Sequence, residues 1–197
     1  MHRSLRFTAA FAAICALAWL AAPAFQARAG TAIRLDLQGL VDAADIGLEA
    51  RVLATRVELD RRGRPCTVAT LAVTRDFIGA TRGPFDVRLP GGVLPDGRGL
   101  VLPGLPSVTP GEEIVLFLSE ESSAGLRVPV GLAQGKFRIV RDAAGARTLV
   151  RDSADLELFD LASQQRSHAN LAAVFDYAAA VAEIEAAVSH RRAGGGK

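Results

Sequence analysis

The stretch DIGLEARVLATRVELD, residues 45–60, alternates along its length, but the alternation changes phase halfway along. One phase is carried by Ile46, Leu48, Ala50 and Val52, and the other by Leu53, Thr55, Val57 and Leu59. Because successive side chains of a strand point to opposite faces, a change of phase requires one extra residue. The sequence therefore predicts a long, coiled strand with a β-bulge or a sharp coil near residues 52–55, of the kind that suits a small closed barrel.

Further alternating or apolar runs follow this strand. They predict strands at residues 66–77, 85–89, 114–118, 127–130, 136–140 and 148–151. Residues 114–118 form an unbroken apolar run, which is typical of a strand buried on both faces. The predicted fold is mainly β: a small OB-like barrel, closed or partly closed, of five to seven strands with a C-terminal amphipathic helix.

The C-terminal part of the chain changes character. Ser153 could cap a short helix that runs through Leu161, and Asn170 is a suitable N-cap for a longer one. Apolar residues then recur at spacings of three and four between Leu171 and Val188, which predicts an amphipathic helix of about five turns. The conformation of residues 33–41 stays ambiguous at this level.

The N-terminal 29 residues have the pattern of an export signal. A short basic start is followed by an uncharged apolar segment, residues 7–22, and then by Ala27 and Ala29 in small-x-small spacing before Gly30. Cleavage before Gly30 is therefore predicted, and the protein is expected in the periplasm or secreted, without a membrane anchor. Cleavage after Ala24 and an uncleaved anchor remain alternatives.

These signals divide the chain into four parts. Residues 1–29 are the predicted signal peptide, 30–152 the OB-like β-barrel domain, 153–192 a C-terminal helical segment and 193–197 a disordered tail. Removing the signal takes away three of the 23 basic residues and none of the 21 acidic ones, so the net charge falls just below zero. This balance does not favour a nucleic-acid partner.

Cysteine and histidine are scarce. Cys66 is the sole cysteine after the predicted cleavage, so no internal disulfide can form. We interpret Cys66 as a small buried residue on a strand, with a reactive free thiol as the alternative. His168 and His190 show no metal-ligand spacing, and neither a metal nor a cofactor is predicted. Glutamate pairs flank the 114–118 strand, where solvated charges are expected.

The loop that precedes the buried strand is rich in proline and glycine. Its five prolines disfavour ladder pairing, yet the segment is too apolar for a disordered linker. The pattern predicts an ordered lid, residues 90–110, packed across the barrel mouth. A plug that merely closes the barrel is the alternative interpretation. The candidate partner-binding residues of the lid are Leu100, Leu102, Leu105 and Val108.

Several short motifs occur in a characteristic order. They include VTRDFIG at residues 73–79, RLPGG at 88–92, PGEEIVLFL at 110–118 and VGLAQGKF at 130–137. In this order they resemble a family of uncharacterised exported bacterial proteins. That family is distantly similar to the netrin-like, OB-type barrel of tissue inhibitors of metalloproteinases.

The resemblance implies a fold but transfers no site residue. Those inhibitors present an N-terminal cysteine to a catalytic zinc and hold it with disulfides. A chain starting at Gly30 lacks both features, so the inhibitory mechanism does not carry over.

Two functional hypotheses remain at this level. The first is an exported, non-enzymatic binding module that engages a protein partner, such as an exported peptidase or an envelope protein, through the lid and the barrel mouth. The alternative is a small hydrolase that uses Cys66 or a carboxylate.

Overall fold

The computed structural model describes residues 30–79, 83–151, 156–168 and 173–194. The strands in these ranges are β1 (Gly30–Ile33), β2 (Ile46–Leu59), β3 (Pro65–Ile78), β4 (Pro84–Pro90), β5 (Gly92–Val93), β6 (Gly99–Leu100), β7 (Glu113–Leu118), β8 (Lys136–Arg141), β9 (Arg147–Arg151), β10 (Leu156–Asp160), β11 (Gln165–His168) and β12 (Ala173–Asp176). The helices are α1 (Leu37–Ala43) and α2 (Tyr177–Gly194), with a 3₁₀ turn at Leu132–Gly135.

Most strands belong to one antiparallel sheet, so the mainly β prediction is confirmed. Seven strands lie in the order β12-β9-β8-β7-β2-β3-β4. A smaller sheet has the order β1-β10-β11, in which β1 and β10 run parallel, and β5 pairs with β6 as a short hairpin. This hairpin lies inside the proline-rich loop, where no ladder pairing was expected.

The long strand β2 has the predicted irregularity. Its pairing with β3 shifts register between Val52 and Ala54, within the segment where the apolar phase changes. Two further shifts, after Gly47 and after Glu49, were not predicted. Together they bend β2 so that its first half pairs with β7 while the ladder with β3 continues to Leu59.

Two hydrophobic cores lie on opposite faces of the large sheet. The first core lies between the sheet and the two helices, and Val115 and Phe117 of β7 belong to it. The second core lies on the other face, between β2, β3, β4 and β7, and includes Leu116. Strand β7 is therefore buried on both faces, as its unbroken apolar run predicts.

The closed barrel is not formed by the described strands. Strands β4 and β12 are the two edges of the large sheet, and no ladder between described residues joins them. The region around residues 127–130, predicted as a strand, makes one isolated bridge, between Leu118 and Pro129, which is flanked by the bonds from Ser119 N to Val128 O and from Val130 N to Phe117 O, both 2.9 Å long. In addition, Arg127 N donates to Arg88 O at 2.9 Å. Since Pro129 has no N–H to donate, a regular ladder is not available there.

The prediction of a short helix from Ser153 through Leu161 is wrong. Residues Leu156–Asp160 instead form β10, which pairs with β1, and Leu156 and Leu158 are buried on it. A burial period of two at these leucines is the signature of a strand rather than of a helix.

The long helix exists but begins later than expected. Residues 173–176 pair with β9, and Asp176 caps α2 by accepting a hydrogen bond from Ala179 N at 2.8 Å. Pairing with the edge of the sheet therefore decides the conformation of residues 173–176, although their apolar spacing is helical. The ambiguous N-terminal segment contains α1, which Asp36 caps through Gly39 N.

Some expectations lie outside the described residues. They are the signal peptide with Ala27 and Ala29, the proposed caps Ser153 and Asn170, and residues 195–197 of the tail.

Candidate partner-binding surface

The lid begins as a hairpin packed onto the end of β2 and β3. Thr67 Oγ1 donates to Gly91 O at 2.8 Å. Gly92 adopts a φ of +140°, and a Cβ at this position would lie 2.8 Å from Val57 Cγ1. Only glycine fits such a backbone and such a close approach, so this position fixes the hairpin against the sheet.

The middle of the lid is held by the 3₁₀ turn and by β10. Ala133 N donates to Gly104 O at 2.9 Å. A Cβ on Gly104 would lie 2.5 Å from Leu156 Cδ2, which shows how closely the lid backbone approaches the smaller sheet.

The end of the lid is fixed by charge and by backbone pairing. Lys136 Nζ lies 2.7 Å from Glu112 Oε2 and also donates to Ser107 O. Val52 N donates to Glu112 O at 2.9 Å, and Gly111 N donates to Val52 O at 2.8 Å. The lid is therefore ordered along its length, by contacts that the sequence pattern did not identify.

The four predicted lid residues do not share one environment. Val108 packs against the second core and, like Leu100 and Leu105, is partly buried. Leu102 is 37% exposed. The structure thus separates Val108, which packs on the second core, from Leu102, which is exposed to solvent.

The most exposed apolar residues of the lid were not predicted as site residues. Val101 is 82% exposed and Val93 is 58% exposed. With Leu102 they form a set that we call the lid patch: Val93, Val101 and Leu102. The sequence marks all three as apolar within a polar, proline-rich segment, but it does not show which of them face outward.

Cys66 lies on β3 and is fully buried, in agreement with our interpretation of it as a small buried residue. It packs with Val68, Ala124 and Leu126. Burial raises the pKa of the Cys66 thiol, and the negative charge of Glu58 raises it further. Both effects oppose formation of the reactive thiolate.

A buried polar cluster joins the sheet to α2. Tyr177 donates to Glu49 Oε2 at 2.6 Å, while Arg147 and Arg75 each have a guanidinium nitrogen 4.0 Å from this carboxylate. The Arg147 guanidinium also lies 3.6 Å from the centroid of the Tyr177 ring. Burial and the neighbouring Glu49 raise the pKa of Tyr177, so its phenol stays protonated. This arrangement orients the first turn of α2.

One of the glutamates that flank the 114–118 run has a structural role. Glu113 pairs with Arg141 at 2.7 Å. Gly135 approaches Val130 so closely that a Cβ on Gly135 would lie 2.5 Å from the Val130 carbonyl oxygen. Gln134 between them is fully buried: Leu35 N donates to its Oε1, and its Nε2 donates to Ile33 O. Sequence inspection missed this amide.

Within the described ranges, no group of three or more His, Cys, Asp or Glu side chains is arranged to hold a metal ion. In the same ranges, no helix has the length and apolar character needed to cross a membrane.

The fold is thus a curved antiparallel sheet covered by helices on one face and by an ordered lid on the other. The chain has no significant match to a protein-family model, to a curated protein or to a solved structure. The resemblance drawn from the sequence motifs therefore stays a prediction.

Proposed function

We propose that the chain is an exported, non-enzymatic binding module whose lid patch engages an apolar surface of a protein partner. The partner class we favour is an exported peptidase or an envelope protein.

We further propose that the scaffold is a partly closed, OB-type barrel, in which the Arg127–Arg88 bond marks the line of closure. Export is inferred from the basic and apolar N-terminal pattern alone.

The observation that carries the binding proposal is the lid patch itself. Three apolar side chains face water on a segment whose backbone is fixed at both ends and in the middle. A surface that is ordered before binding loses little conformational entropy when a partner covers it. Exposed apolar side chains on such a surface gain by being covered.

Burial of Cys66 argues against the thiol form of the hydrolase alternative. A nucleophilic cysteine needs an accessible thiolate with a lowered pKa, whereas this thiol is enclosed and its pKa is raised. If purified protein did turn over an ester or a peptide, and Cys66→Ser abolished that turnover, the binding-module proposal would be wrong.

The direct test uses purified protein as bait in periplasmic extract and in culture medium. We expect a specific protein to be captured by the unaltered bait, and capture to be lost with the double variant V101D and L102D. The matched control is Leu161→Asp, because Leu161 is similarly exposed but lies after β10, outside the lid.

Capture alone does not establish the function. The captured protein must also bind as a purified component, with an affinity that falls at least tenfold for the lid variant and not for the control. Equal binding by the lid variant and the unaltered bait would refute the role of the lid patch.

A further inference from the structure

Among the described residues, the second half of β2 pairs with a neighbouring strand on one side only. Its ladder with β3 continues to the pair Leu59–Pro65, but its ladder with β7 ends at the pair Arg51–Glu113. Val52 still bonds to the end of the lid through its N–H and C=O. Beyond it, no backbone hydrogen bond among the described residues reaches residues 53–59 from that side.

The hairpin that joins β2 to β3 sets which backbone groups point outward. Asp60 N donates to Arg64 O at 2.8 Å, so the pair Asp60–Arg64 is a hydrogen-bonded one. Hydrogen-bonded pairs alternate along an antiparallel ladder. The N–H and C=O groups of Thr55, Val57 and Leu59 therefore face the open side, because those of the residues between them face β3.

This open edge has a register shift at its start and two charged side chains, Arg56 and Glu58, but it lacks other features that normally protect an edge. Exposed edges are usually blunted by proline, by lysine or by a covering segment, but residues 53–59 contain neither proline nor lysine. Two apolar side chains lie along it in solvent, since Leu53 is 50% exposed and Leu59 is 46% exposed. An edge of this kind can accept another strand.

We propose that β2 pairs, antiparallel and edge to edge, with β2 of a second copy of this chain, about a two-fold axis through Val57. The odd-numbered residues carry the outward backbone groups. A symmetric pairing that joins more than one pair among Thr55, Val57 and Leu59 therefore has its axis on residue 56, 57 or 58. An axis at Val57 joins Thr55 with Leu59 of the second copy through complete pairs of hydrogen bonds.

Charge selects the axis at Val57 over its two neighbours. On the other face of the strand, this register places Arg56 opposite Glu58 of the second copy, and Glu58 opposite its Arg56. An axis at residue 56 or 58 would instead place two arginines or two glutamates opposite each other, which is unfavourable in a ladder. Both side chains are partly exposed, at 51% for Arg56 and 35% for Glu58, and can reach a second partner.

The same register covers the exposed apolar residue at the end of the edge. Leu59 would lie against Thr55 and Val57 of the second copy, so its side chain would leave water on pairing. These residues differ from those of the lid patch. Self-pairing and partner capture can therefore fail independently of each other.

Sedimentation velocity of the full-length gene product over a concentration series tests the pairing. We expect a concentration-dependent dimer. Both Arg56→Glu and Glu58→Arg should weaken it by at least about tenfold, because each variant creates two like-charge pairs per dimer. Mixing the two variants in equal amounts should restore dimerisation, since each mixed pair then brings glutamate opposite arginine at both positions.

The control is Arg141→Glu, which breaks an exposed strand ion pair with Glu113 but leaves β2 unchanged. It should dimerise as the unaltered chain does. A chain that stays monomeric up to its solubility limit would overturn the proposal. So would a dimer that ignores both charge changes, or two single variants that fail to associate when mixed although each is folded.

Hydrogen exchange provides a second measurement that needs no variant. The amides of Thr55, Val57 and Leu59 should exchange more slowly as protein concentration rises. Unchanged exchange across the range in which a dimer forms would overturn the proposed interface. A monomer in which these amides are protected only by added envelope extract would assign the edge to a strand of another protein, and would also refute self-pairing.

Discussion

The two faces of the large sheet are covered in different ways. On one face, α2 contributes a continuous apolar stripe, and Arg191 Nη1 donates to Val41 O and Ala44 O, which ties α2 to α1. On the other face, the lid contributes one apolar residue to the core, Val108, and is otherwise held at separate points. The helix leaves little apolar surface in water, whereas the lid leaves Val101 almost fully exposed.

This difference has a physical origin. A helix satisfies its own backbone and can use a whole stripe of side chains for burial. A proline-rich loop must satisfy its backbone through scattered contacts and turns, so its side chains cannot all face inward. The helical face is thus suited to stability, and the lid face retains the side chains that a partner could cover.

The largest expected effect is on the helical face. Phe117→Ala should lower the free energy of unfolding by about 3–5 kcal/mol, because it opens a cavity in a closed core. Phe117 is fully buried and packs edge-to-face on Phe137, with ring centroids 6.4 Å apart. Urea unfolding would measure the loss. Val101→Ala on the lid should change stability by less than about 0.5 kcal/mol, and equal losses for the two variants would erase the contrast between the faces.

The second-largest expected effect is at Gln134, which links the 3₁₀ turn that holds the lid to the N-terminal segment. Gln134→Ala should cost about 2–4 kcal/mol, because it leaves Leu35 N and Ile33 O without their buried partner. The bonds are 2.9 Å and 2.8 Å long. Gln38→Ala is the matched control, since Gln38 bonds only to Asp42 in an exposed position. A loss below about 1 kcal/mol for Gln134→Ala would contradict the role of this amide.

A third test addresses the polar cluster under α2. Tyr177→Phe should cost about 1.5–3 kcal/mol at neutral pH, because it removes a hydrogen bond to a carboxylate. Since the folded-state pKa of Tyr177 is raised, its contribution is complete below the unfolded pKa of about 10 and is lost as the pH rises through the folded value.

The ionisation of Tyr177 can be measured directly in the unaltered protein. Tyr177 is the single tyrosine of the chain, so tyrosinate absorbance reports on it alone. We expect the unaltered protein to lose stability more steeply than Tyr177→Phe in alkali. Parallel stability profiles, or ionisation at the pKa of a free tyrosine, would contradict the cluster as described.

The smallest expected effect is on the lid. Lys136→Met should cost about 1–2 kcal/mol by leaving Glu112 without its partner in a partly buried site. It should also speed hydrogen exchange in residues 104–111 more than elsewhere. Arg98→Met, which breaks an exposed pair with Asp96, should change stability by less than about 0.5 kcal/mol. Unchanged lid exchange in Lys136→Met would show that other contacts hold the lid.

Several elements could be predicted because their signals are local. The phase change in β2 marked the bulge, since a period of two cannot change phase without an extra residue. The run at residues 114–118 marked β7 as buried on both faces for a similarly direct reason. Charge and cysteine content likewise needed no knowledge of the fold.

Other elements could not be predicted because distant partners decide them. Residues 173–176 follow helical spacing but lie in a strand, since β9 offers them a sheet edge. The role of Gln134 depends on a segment about 100 positions earlier, which its neighbours in the chain do not reveal. The exposure of Val101 and the packing of Val108 on the second core depend in the same way on where the lid touches the sheet.

The sequence by itself determined the extended conformation of the segments that form β2, β3, β4, β7, β8 and β9. It also determined where β2 is irregular, and that an apolar, proline-rich segment precedes the most buried strand, because these features follow from periodicity and from the chemistry of single residues. Only the tertiary structure decided that no ladder between described residues joins β4 to β12, which lid residues face solvent, and that, within the described part of the chain, residues 53–59 of β2 pair with a strand on one side only. Those properties depend on which segments contact each other in the folded protein. The local sequence pattern of a segment is compatible with more than one set of such contacts.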